Sequence, residues 1–160
     1  MEKIAIKGLD AIDRRLLAAV QENGRLTATE LAERVGLTTS PCLRRLRHLE
    51  ETGIIRGYTA VLDQNKVGLP VSVFVSIKLD RQSEEAMRSF EDQIRAWPEV
   101  LECYLMTGPR DYLLRVVARD LVDYERFVKS RLTRLAGIAN IESSFALGQV
   151  KHSNALPLGR

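Results

Sequence analysis

Apolar positions in this chain follow two rhythms, and the change between them falls near residues 63–70. Before it, apolar residues recur every three or four positions. Leu9, Ile12, Leu16, Leu17 and Val20 form one face of a helix that Asp10 caps and that ends before Gly24. Ala28, Leu31, Ala32 and Val35 form a second helix, with Thr27 three residues before Glu30 as a reciprocal N-cap and Gly36 as its left-handed stop. A third begins at Thr39 or Ser40. Ser40 is its capping candidate, and Pro41 suits the first helical position, where a missing N–H costs nothing. At about 100° per residue, Cys42, Leu43, Leu46 and Leu49 share one side, while Arg44, Arg45, Arg47 and His48 take the other. Ile54, Ile55, Tyr58, Ala60 and Leu62 then read as an extended segment packed on the helices, as in a winged helix. Residues 1–8 read as a short arm.

The stretch DQNKVGLP (63–70) is polar at its front, carries Gly68 and Pro70, and lacks periodicity, so it is the expected linker. After it the pattern alternates. Residues 71–80 are β-branched and extended. Residues 83–98 place Ala86, Met87, Phe90, Ile94 and Trp97 at helical spacing. Strands follow at 99–108 and 112–119, separated by a Gly-Pro-Arg-Asp turn. Asp120 caps a helix with Leu121, Tyr124, Phe127, Val128, Leu132 and Leu135 inward, and 138–151 is the last strand. The order βαββαβ is the split, ferredoxin-like plan. The fold class is therefore α+β, with a helix-turn-helix domain over 1–62, a linker over 63–70 and a ferredoxin-like domain over 71–160. Two helices cover only one face of a four-stranded sheet. Phe74, Leu113 and Val117 make several strands apolar on both sides, and a second copy of the chain is the simplest cover.

A helix with one buried stripe, three arginines on the other side and a tight turn before it suits the DNA major groove. Thr38, Thr39 and Ser40 place hydroxyls where its N-terminus would meet the duplex. The plain reading is a solvated charged face, yet the four cationic or titratable residues precede Glu50 and Glu51 with no acid among them. The net charge of +3 adds nothing to the argument; the local cluster carries it.

Catalytic chemistry finds little support. The two histidines, His48 and His152, sit in no recognisable nucleophile–base motif, and no phosphate-binding or metal-ligand motif appears. Cys42 and Cys103 read as small buried apolar residues. No apolar run is long enough to span a membrane, and no secretory leader is apparent. A cytoplasmic protein without metal, cofactor or membrane partner is expected. The turn Gly108-Pro109-Arg110-Asp111 has two readings. Its carboxylate, guanidinium and accessible backbone N–H groups suit both charges of an amino acid. Equally, Gly, Pro and Asp are ordinary hairpin residues.

The runs LTATELAERVGLTTSPCLRRLRHLEETGIIRGYTAVLD, VLECYLMTGPRDYLLRVVARDLVDYERFV and SSFALGQVKHSNALPL together resemble the Lrp/AsnC family of leucine-responsive and asparagine-responsive (feast/famine) transcriptional regulators. The resemblance runs in order along essentially the whole chain. It implies double-stranded DNA as partner through the helix beginning at Ser40-Pro41, and a homodimer that assembles further, up to an octamer. It also implies a small effector, usually an amino acid, near Gly108, Pro109, Arg110 and Asp111, with Ser143 and Ser144 contributing. Asp111 would then accept the effector ammonium, and Leu105 with its apolar neighbours would favour a leucine- or methionine-like side chain. Two alternatives stand beside this reading. Haem-biosynthesis decarboxylases that act on a tetrapyrrole resemble the same architecture, but need basic and histidine side chains that the second domain lacks before His152. An effector-independent, architectural DNA-binding protein would differ only in ligand response.

Overall fold

The computed structural model describes residues 8–158. The arm expected over 1–8 therefore lies, up to residue 7, outside the described residues. Residues up to Ala60, together with the tail from Lys151, make one compact unit, and Val61–Val150 make the other.

In the first unit three helices form: α1 (Ala11–Glu22), α2 (Ala28–Val35) and α3 (Thr39–Glu51). Asp10 caps α1 through a capping box with Asp13, and Thr27 caps α2 through the box with Glu30. Gly36 closes α2 at φ 72°, a left-handed conformation that a side chain would strain. The cap of α3 differs from expectation. Thr38, not Ser40, is its N-cap, and no side-chain capping bond forms. Pro41 still lies in the first turn, where its missing N–H is no loss. Leu16, Leu17, Ala19, Leu31, Ala32, Val35, Cys42 and Leu49 form the core of this unit.

The segment after α3 forms no strand. Ile55 packs against the core, but Ile54, Tyr58 and Leu62 are exposed, and among the described residues no strand pairs with the segment. Tyr58 instead donates its hydroxyl to Glu50 at 2.9 Å.

The chain grouping also departs from the expected linker and second-domain boundary. Asp63 closes a turn by accepting the N–H groups of Asn65 and Lys66, and the Gln64 amide ties Leu69 and Ser72, so 61–70 belongs with the second unit. The tail returns to the first. The Gln21 amide pairs with the main chain of Leu156 in both directions, at 2.6 and 3.3 Å, and Leu158 packs on the helical core.

The second unit holds strands β1 (Val71–Leu79), β2 (Val100–Leu105), β3 (Tyr112–Ala118) and β4 (Ile138–Phe145), with helices α4 (Glu84–Arg95) and α5 (Leu121–Ser130). The fully antiparallel sheet has the order β2-β3-β1-β4, the ferredoxin-like arrangement. Val73, Val75, Ile77 and Leu79 meet Phe90 and Ile94 of α4 and Tyr124 and Phe127 of α5, together with Tyr112, Leu114 and Val116. Some predicted details shift. The last helix is shorter and continues as a 3-10 turn at Leu132–Arg134. Leu121, expected inward, stands exposed in its first turn, and Cys103 is exposed on edge strand β2.

The alternation along β1 and β3 decides which set faces away from the helices. Phe74, Leu113 and Arg115 do so, together with Tyr104 of β2. Part of that face is polar and already tied: Arg115 pairs with Glu102 at 3.1 Å and donates to the side-chain amide oxygen of Gln64.

Candidate nucleic-acid interface and effector turn

Helix α3 presents its two faces as its sequence dictates. Cys42 and Leu49 are buried, and burial pushes the Cys42 thiol above its ordinary pKa, which makes it a packing residue. Thr38, Thr39, Ser40, Arg44, Arg47 and His48 are exposed on the outer side. Arg44 and Arg47 stand one turn apart, and among the described residues neither has a carboxylate within ion-pair distance.

Arg45 is placed differently. It turns from that outer face toward the start of α1, where its Nη1 lies 2.6 Å from Asp10 Oδ2 and 2.8 Å from Asp13 Oδ1. The sequence suggested four like residues with no acid among them, but the acids come from another helix. The Asp10 carboxyl sits below its ordinary pKa, chiefly because the Asp13 N–H donates to it and Arg45 adds to the effect.

The turn after β2 closes with the Met106 N–H donating to the Asp111 carbonyl at 2.8 Å, and Gly108 takes φ 100° at its tip. Pro109 and Arg110 follow at the surface, Arg110 half-buried. Leu105 and Met106 are exposed apolar side chains beside them.

Asp111 departs most from expectation. It is only 6% exposed. Its Oδ2 accepts the Leu79 N–H at 2.7 Å, and its Oδ1 accepts from Lys78 Nζ at 3.1 Å and Gln82 Nε2 at 2.6 Å. Burial alone would raise this carboxyl, but the Leu79 N–H, Lys78 and Gln82 outweigh it and hold its pKa below the ordinary value. With three donors on a carboxylate that offers about four acceptor sites, Asp111 ties the turn to β1. An incoming ammonium would find one acceptor site left, beside Lys78.

Ser143 and Ser144 also fall elsewhere. They pair with Val75 and Phe74 of β1, some four residues from Leu79, so roughly 13 Å of strand separates them from the turn. They face opposite sides of the sheet. Ser143 shares a short hydrogen bond with Tyr124, and Ser144 lies on the helix-free face beside Phe74. Within one chain the structure brings together Leu105 and residues 108–111, and leaves the serines out.

Sequence reasoning missed Lys78, Gln82, Asp10 and Asp13 as neighbours of these sites. For Lys78 the βαββαβ order held the signal, since that plan puts β1 beside β3. For Asp10 and Asp13 the clue was a pair of acids at i and i+3 in a helix start.

Among the described residues no group of three or more His, Cys, Asp or Glu gathers as it would for a metal ion, and no helix is long and apolar enough to cross a membrane.

Comparison with known proteins finds matches for both units. Residues 9–56 match the family described as "Winged helix-turn-helix DNA-binding", and residues 72–156 match "Lrp/AsnC ligand binding domain". The Bkd operon transcriptional regulator of Pseudomonas aeruginosa is 45% identical over 150 residues, covering 94% of this chain and 98% of that protein. The leucine-responsive regulatory protein of Escherichia coli K12 is 38% identical over 150 residues, 94% and 92% of the respective chains. A transcriptional regulator of Neisseria meningitidis, solved as a complex with L-Met, superposes with a TM-score of 0.90 at 43% identity, covering 94% and 97%.

Proposed function

Because the chain belongs to the Lrp/AsnC family of DNA-binding transcriptional regulators, we propose that it reads operator DNA through the outer face of α3 and answers to an apolar amino acid. It is a regulator with a ligand-binding domain and not an enzyme, which disposes of the decarboxylase alternative. It acts where the DNA is, in the cytoplasm, as an assembly of identical chains up to an octamer.

The observation that carries the DNA reading is the pair Arg44 and Arg47, exposed one turn apart and with no carboxylate in ion-pair distance among the described residues, on a helix whose other face is packed. Long cationic forks in that position reach guanine edges or phosphates. Thr38, Thr39, Ser40 and His48 extend the same surface. Arg44→Ala should weaken operator binding by about 1–3 kcal/mol if it reads a base. If it meets only phosphate, binding should fall on every sequence with a shallower salt slope. Unchanged binding by Arg44→Ala and Arg47→Ala at several salt concentrations would remove the assignment.

For the effector, support comes from exposed Leu105 and Met106 beside the Gly108–Asp111 turn, and from the L-Met complex of the Neisseria relative. Leucine or methionine at about 100 times its dissociation constant should stabilise the fold by roughly 2.7 kcal/mol. A thermal-shift screen of the twenty amino acids reads this directly. Leu105→Asp should abolish the response. The occupied state of Asp111 favours the effector-independent reading, and no shift with any amino acid would establish it.

A further inference from the structure

Arg45, Asp10 and Asp13 form a closed arrangement in which every carboxylate oxygen has one task. Asp10 Oδ1 accepts the N–H groups of Ile12 and Asp13, both at 2.8 Å, which caps α1. Asp10 Oδ2 takes Arg45 at 2.6 Å. Asp13 Oδ1 takes the same Nη1 at 2.8 Å, and Asp13 Oδ2 accepts the Asp10 N–H at 3.2 Å. The helix cap and the ion pair are therefore the same two residues. An exposed ion pair is worth little by itself. Here the Asp13 side chain is only 13% exposed, and the cap holds both acids rigid before the guanidinium arrives.

We propose that Arg45 is a positioning residue: its clasp on Asp10 and Asp13 sets the pitch of α3 against the start of α1 and withholds a third guanidinium from DNA, so that Arg44 and Arg47 meet the bases in one register. This rests on the reading of α3 as the recognition helix. The clasp lies beside the surface that meets DNA, for Asp13, Arg45, Arg44, Arg47, Thr39 and Ser40 line one open depression. If the clasp is opened, the arginine becomes free to reach phosphate, and two acids that repel the duplex can be neutralised at the same time. Non-specific affinity then rises while the preference for the right sequence falls.

The test uses the full-length protein, a duplex that it selects from a random pool, and a base-shuffled duplex of the same composition. Asp10→Asn, Asp13→Asn and their combination are suitable because asparagine also caps helices. Each should retain the parent helicity. The double variant should bind shuffled DNA more tightly, with a salt slope steeper by about 0.9 per added phosphate contact. Its ratio of selected to shuffled affinity should fall by roughly tenfold. Arg45→Ala should lower that ratio similarly without making the salt slope shallower on shuffled DNA, and Arg45→Lys, which can hold one carboxylate, should recover part of it. A shallower slope and equal loss on both duplexes for Arg45→Ala, with no change in the double variant, would make Arg45 a direct phosphate contact and overturn the proposal. Arg44→Ala and Arg47→Ala serve as reference. If they leave binding unchanged, the recognition-helix reading fails and takes the clasp with it. If they weaken binding while the Arg45 and Asp variants keep the parent ratio, the clasp alone is overturned.

Discussion

At the scale of single residues, Asp111 and Arg45 show how a charged side chain beside a binding surface can be committed elsewhere. Removing the Asp111 carboxylate leaves the buried Leu79 N–H without an acceptor and Lys78 without its counter-ion. Asp111→Ala should therefore lower stability by about 2–4 kcal/mol, measured by urea unfolding. The pH dependence has a definite sign. A carboxyl held below its ordinary value contributes stability that is fully present above the unfolded pKa of about 3.9 and is lost as pH falls through the folded value. On acidification from neutral pH to about 3, the parent should lose more stability than Asp111→Asn, whose residue 111 does not titrate. Helical periodicity placed Arg44, Arg45 and Arg47 on the outward side, and for Arg44 and Arg47 it was a sufficient guide. It failed for Arg45 because angle about the helix axis says nothing of carboxylates that a neighbouring helix brings near. Asp111 was misread for a related reason: a turn sequence does not reveal which strand the turn leans on.

Elements whose signals are local were legible, and a strand was legible only where its partners were also written in the sequence. The Thr27–Glu30 box and the Gly36 stop depend on a few consecutive residues, and both form as the sequence indicates. Gly36→Ala should cost about 1 kcal/mol, seen as a lower thermal midpoint. The strain is conformational, since a Cβ there would meet nothing within 4 Å. Thr27→Ala should cost a similar amount by loss of the cap. The segment 54–62 looked extended by composition, but a strand exists only with a ladder beside it, and among the described residues none pairs with this segment. The sheet of the second unit was readable because four alternating runs supply each other's partners.

For the whole molecule, the helix-free face of the sheet bears on assembly. Phe74 and Tyr104 are exposed there with Leu113 half-buried between strands, while Gln64, Arg115 and Glu102 occupy another part. If identical chains pair through the apolar part, Phe74→Asp in the full-length protein should reduce the mass seen by light scattering, because a buried unpaired charge is costly. An unchanged mass would direct the search for the contact elsewhere. The order of elements along the chain was legible, but which unit takes 61–70 and which takes the tail was not. That division turned on one glutamine, Gln64, tying 61–70 to the sheet and another, Gln21, holding the tail.

The hold of Gln21 on Leu156 spans 135 positions of sequence. A ribosome adding about 5–20 residues per second takes roughly 7–27 s to travel that distance. Helix α3 is complete only at Glu51, so for the later part of that interval, roughly 5–21 s, the three helices stand with the Leu158 seat open and the Gln21 amide answered by water. The helical unit is thus completed only by residues made long after its helices. A tag or fusion joined after residue 158 would act first on the maturation of the helices near the opposite end of the chain.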